Sequence, residues 1–124
     1  MTTRELIDIT IDIGSLLIEY GAEIYRVEDS INRIAAAYGY CGEDKSVEVF
    51  AIPTCLLVTI NQKGEVPVTG QRRIPLRSAN LDRVDRLNNL SRFICSEKPE
   101  YSVIKNHISA IKKRRVYSLS LIHI

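Results

Sequence analysis

The chain of 124 residues is 45% hydrophobic and 26% charged, with 6 Gly and 4 Pro, which suits one folded domain and excludes a disordered or fibrous chain. Its net charge of +2 hides a gradient, since residues 1–60 sum to −6, residues 61–98 to +4 and residues 99–124 to +4. No run of about 18 apolar residues occurs, so nothing here reads as a spanning helix, and Asp8 and Asp12 interrupt the first apolar stretch, so nothing reads as a signal peptide. Cys41, Cys55 and Cys95 are odd in number, lack metal spacing and read as reduced, mostly buried thiols. His107 and His123 are the only histidines, too few for a His-rich metal site or most triad chemistry. No metal, no cofactor and no catalytic residue is therefore expected. The charge gradient suits an anionic partner at the C-terminal end, or an acidic face pairing internally with a basic one.

From Thr2 to Tyr20 two periods compete. Ile9, Ile11 and Ile13 alternate like a strand, but Leu6, Ile9, Ile13, Leu16, Leu17 and Tyr20 keep helical spacing over a longer window. Thr2 with Glu5 forms a capping-box pattern and Gly21 is a C′ residue, so a helix is predicted. A second helix follows on Ile24, Val27, Ile31, Ile34, Ala35 and Tyr38, stopped by Gly39. The short link at Gly21-Ala22 makes the pair a helical hairpin.

The pattern then changes. Val47–Ala51 is β-rich and stopped by Pro53, Cys55–Ile60 is a second strand, and Asn61–Gly64 is a turn. Val66, Val68 and Ile74 suit a third, more exposed strand, giving an antiparallel meander. Leu81, Val84, Leu87, Leu90, Ser91 and Ile94 form a helical stripe with Ser78 or Asn80 as N-cap. Pro99 suits position N1 of a last helix, with Tyr101, Ile104, Ile108 and Ile111 as its apolar stripe. The order is αα-βββ-αα: an α+β domain of a helical hairpin, a three-stranded antiparallel sheet and two more helices, packed as one layer of helices on the sheet.

Lys112, Lys113, Arg114 and Arg115 close that last helix. Four cations there gain from the helix dipole, and such a block also marks the cytoplasmic side of a membrane when a spanning helix follows. Leu119–Ile124 continues no pattern and matches the translation of a transposase adapter used in sequencing libraries. The native frame is expected to have been cut near Ser118, leaving 119–124 as a non-native tail in which His123 has no role.

Gly14 with Leu16-Leu17, Gly21-Ala22-Glu23, Arg26-Val27-Glu28 with Ile31, Val47–Phe50, Pro53-Thr54, Arg73, Arg77, Asn80-Leu81, Val84, Asn88 and Leu90–Arg92 occur in that order. Together they resemble the N-terminal domain of the threonine/serine exporter family, whose relatives include succinate exporters. Ser78-Ala79 departs from it, because the family often has a glycine after the arginine. The resemblance implies residues 1–118 are a soluble cytoplasmic domain preceding the spanning helices of a transporter. That transporter would export threonine, serine or dicarboxylates on ion gradients, without nucleotide hydrolysis. The partners it implies are the membrane-spanning part of the same transporter or a partner subunit. Anionic lipid headgroups would meet Lys112, Lys113, Arg114 and Arg115, and a homo-oligomer is compatible with the pattern.

Glu23, Arg26 and Glu28 are the densest charged motif. Glu23 and Arg26 are spaced for an ion pair at a helix start; in the transporter reading all three contact the membrane part or a gate. Arg72, Arg73 and Arg77 around Pro75 are either an anion site, helped by the helix starting near Asn80, or partners of the acidic N-terminal half. Glu23, Arg26, Glu28, Arg73, Arg77 and Asn80 are thus the candidate substrate or gating contacts. Tyr20, Tyr25, Tyr38, Tyr40 and Tyr101 would allow base stacking, but Tyr20, Tyr38 and Tyr101 fall on core faces. No nucleic-acid motif accompanies them, and no nucleic-acid partner is expected. Neither phosphate-binding glycine loop is present, which argues against a nucleotide enzyme. The competing reading is a self-standing soluble module for an anionic ligand or nucleic acid.

Overall fold

A computed structural model describes the backbone of residues 1–123 and the side chains of residues 1–113. The side chains of Arg114, Arg115 and the expected tail at 119–124 lie outside the described residues. The elements are α1 (Thr3–Glu19), α2 (Ile24–Ala37), β1 (Lys45–Ile52), β2 (Cys55–Gln62), β3 (Val68–Arg73), α3 (Leu81–Glu97) and α4 (Tyr101–His123). The chain is the α+β domain expected: a helical hairpin, an antiparallel meander in the order β1-β2-β3, then two helices.

Helix α1 starts on a capping box. The Glu5 N–H donates to Thr2 Oγ1 at 3.1 Å and the Thr2 N–H to Glu5 Oε1 at 2.9 Å. It ends at Gly21, whose φ of 95° lets Ala22 N–H reach back to Leu17 O (2.9 Å) while Gly21 N–H bonds Ile18 O (3.0 Å). Between those ends α1 is buried nearly all round, packed on α2, β2, β3, α3 and α4. This explains the two competing periods: Ile7 and Ile11 meet β3 at Gly70 while other faces meet helices, so apolar residues occupy more than one stripe.

The sheet register pairs Phe50 with Leu57 and Val58 with Gly70. Period-two alternation turns Leu56, Val58 and Ile60 into the core, joined by half-buried Val47, Val49 and Ala51. Helices α1 and α2 cover that face, α3 packs against α1 and α2, and α4 packs against α1 and α3.

Several details differ from the sequence reading. Strand β3 begins at Val68 rather than Val66, because Pro67 has no N–H for the ladder; Val66 stands in the turn, 84% exposed. Leu81 opens α3 yet is 77% exposed, while Arg83 takes the buried place one turn before Leu87. Pro99 is not at N1. Ile104 N–H bonds Glu100 O at 3.2 Å, which makes Glu100 the N-cap. Lys98, left-handed at φ 48°, and Pro99, whose carbonyl accepts from Tyr38 Oη at 2.6 Å, take up the reversal between α3 and α4. Helix α4 runs past the basic block to His123 instead of ending there. Cys41 is exposed and Cys55 and Cys95 are half-buried, all as free thiols.

Candidate functional site

Backbone contacts gather one end of the molecule. The Arg77 guanidinium donates to Ile18 O at 3.2 Å and Ala22 O at 3.3 Å, adding a cation to the carbonyl-rich end of α1 and the turn that follows it. The next residues continue the clamp: Ser78 N–H bonds Glu19 O (2.8 Å) and Asn80 N–H bonds Tyr20 O (3.0 Å). Ile74 N–H bonds Thr54 O at 2.9 Å, which ties the β1–β2 turn to the same segment. The α1–α2 corner, the Pro53-Thr54 turn, the 74–80 segment and the start of α3 therefore share one pole.

Helix α4 reaches this pole through Arg83. Arg83 as a residue is 6% exposed, with Nη1 2.5 Å from Tyr20 Oη, Nη2 2.8 Å from Lys112 O and the guanidinium 5.0 Å above the Tyr20 ring. Among the described residues Arg83 has no carboxylate partner; its donors are met by a phenol and a main-chain carbonyl. The exposed Lys112 and Lys113 thus stand beside the α1–α2 corner.

The candidate residues fall into several settings. Glu23 is the exposed N-cap of α2, without a side-chain cap bond. Arg26 turns from Glu23 to Tyr25, with Nε 3.3 Å from the hydroxyl, so the expected Glu23–Arg26 ion pair is absent among the described residues. Glu28 lies half-buried one turn on. Asn80 Oδ1 accepts the Arg83 N–H at 3.1 Å, which makes it the N-cap of α3. Arg72 and Arg73 alternate across β3: Arg72 faces α1 and pairs with Asp12, while Arg73 stands on the outer face opposite Cys55. The three arginines around Pro75 are not drawn to one partner; Arg77 and Asn80 bond the α1–α2 corner, Glu23 and Arg26 open α2 beside it, and Arg73 ends β3 next to Ile74.

A second cluster carries groups to which the spacing gives no pointer. Lys105 Nζ on α4 lies 3.1 Å from Asp8 Oδ2 and 2.5 Å from Asp12 Oδ2 on α1. Arg72 pairs with the other Asp12 oxygen and the Tyr101 hydroxyl donates to Asp8. Burial alone would raise the Asp8 carboxyl, but the Tyr101 hydroxyl and then the Lys105 ammonium outweigh it and leave it lowered. Lys105 is lowered by burial but raised on balance by Asp12 and Asp8, and Tyr101 is raised mainly by its bond to Asp8. Two carboxylates and two cations balance, so the network reads as a latch between α1, β3 and α4 rather than an acid–base pair. Among the described residues no group of three or more His, Cys, Asp or Glu is placed to hold a metal.

The fold is an α+β domain in which one pole joins the α1–α2 corner, the 74–80 segment, the start of α3 and the longest helix, α4. Residues 8–124 match the family model described as "Putative threonine/serine exporter", and the chain belongs to that family. No curated protein and no solved structure matches it. The family is one of transporters, so the protein is transport-related. No helix among the described residues is long and apolar enough to cross a membrane.

Proposed function

We propose that the chain is the N-terminal cytosolic domain of a secondary transporter that exports threonine, serine or a dicarboxylate, and that its charged pole packs against and gates the membrane-spanning part. The observation that carries this reading is convergence. Glu23, Arg26, Pro53-Thr54, Arg73, Arg77 and Asn80, all part of the family resemblance, stand around the pole that α4 passes at Lys112. Exposed Glu23 and Arg26, without ion-pair partners among the described residues, offer one charge of each sign to a docking surface.

The test is metabolite efflux from cells that lack their own exporter and carry this domain joined to, or expressed with, its membrane part. After loading with threonine, serine or succinate, Glu23→Ala with Arg26→Ala is expected to slow efflux several-fold at unchanged protein level in the membrane. Unaltered efflux of all three compounds would overturn the gating role.

A further inference from the structure

The same pole carries apolar side chains that the fold leaves bare. Leu76 is 93% exposed and Leu81 77%, one on each side of the clamped Arg77–Asn80 segment. The clamp holds both outward instead of letting them fold back. Tyr25, on the first turn of α2 beside the carbonyl that Arg77 caps, is 60% exposed. Around them stand Arg26, Arg77, Lys112 and Lys113, and in sequence Arg114 and Arg115 follow. The carboxylates of this end are Glu19, Glu23, Asp82 and Asp85, of which Asp82 is taken by Arg86 at 3.0 Å, against Arg26, Arg77, Arg86, Lys112 and Lys113. Positive charge is in excess.

We propose that this end lies on an anionic lipid surface, with Leu76, Leu81 and Tyr25 entering the interface and Arg26, Arg77, Lys112 and Lys113 meeting headgroup phosphates. Separated protruding leucines with an aromatic neighbour and a cation surround suit a bilayer interface; a bound protein segment would call for a continuous groove. The physiological setting rests on the proposed transporter role, while the binding itself belongs to this chain.

Co-sedimentation of the 124-residue chain with phosphatidylcholine vesicles, with and without phosphatidylglycerol, tests this. Binding is expected to the phosphatidylglycerol vesicles and to weaken with added salt. Leu76→Asp with Leu81→Asp should lower affinity about tenfold or more, the scale of losing two inserted leucines. Val66→Asp adds a charge at an equally exposed site at the opposite end and should change nothing. Leu76→Trp should show blue-shifted emission with the same vesicles, and circular dichroism checks the fold of each variant. Failure of the parent chain to sediment, or equal binding by the double aspartate variant, overturns the inference. Loss of efflux in that variant when the parent chain itself binds no vesicles would place the pole on protein, which overturns the inference yet leaves the proposed function standing. Vesicle binding alongside unaltered efflux in the Glu23 and Arg26 variant would do the reverse.

Discussion

Arg83 carries its charge almost wholly out of solvent, and its contacts set the cost of losing it. Arg83→Ala removes the bonds to Tyr20 Oη and Lys112 O together with the packing of a buried side chain, and should cost about 2–3 kcal/mol in urea unfolding. Gly70 is the opposite case, a site with no room. A Cβ there would meet Ile7 Cγ2 at 2.3 Å, a branched atom fixed close to its own backbone, so Gly70→Ala should destabilise by about 1–3 kcal/mol, read as a lower melting temperature. Among the thiols, exposed Cys41 should react first with a disulfide reagent. Cys95, pushed up by burial, should react late. Of these residues the sequence hides Arg83 most thoroughly. Spacing back from Leu87, Leu90 and Ile94 points to position 83, but an arginine there reads as surface, and Leu81 draws the stripe toward itself.

At the scale of elements, α4 is held to α1 by charge as well as by Ile104, Ile108 and Ile111. Asp8 is lowered, so its contribution is present at neutral pH and lost as pH falls through its folded-state value. Lys105 and Tyr101 are raised, so theirs is lost as pH rises beyond their ordinary values. The urea midpoint should stay flat between about pH 5 and 9 and fall on both sides. Asp8→Asn should lower the plateau and make the acid fall shallower; an acid limb as steep as the parent's would count against the latch. Helix and strand identities were legible because each apolar period ran long enough to dominate. The latch was not, since Asp8 and Asp12 meet Lys105 across more than ninety residues of chain and show locally only as breaks in an apolar run. Pro99 misled for a related reason: its helix-start preference is local, whereas the turn at Lys98 and the bond from Tyr38 are tertiary.

Across the whole molecule, α1 is the shared wall between the sheet and the other helices. Unfolding should therefore be a single transition, with far-ultraviolet dichroism and tyrosine fluorescence superimposing in urea. A peptide of residues 45–74 should remain unstructured by dichroism, because Leu56, Val58 and Ile60 lose their cover without α1 and α2. The charged pole was legible only in part. Its members stood out as motif residues, but only the Arg77 clamp and the Arg83 bridge reveal that they share one end.

The Arg83 bridge has a further consequence. Because the guanidinium holds an oxygen of the peptide backbone at Lys112, the fastening is blind to which amino acid occupies that position. Neutralising Lys112 and Lys113 should therefore alter what the helix attracts while leaving where it sits untouched. Tethering and charge are, in this architecture, independently adjustable.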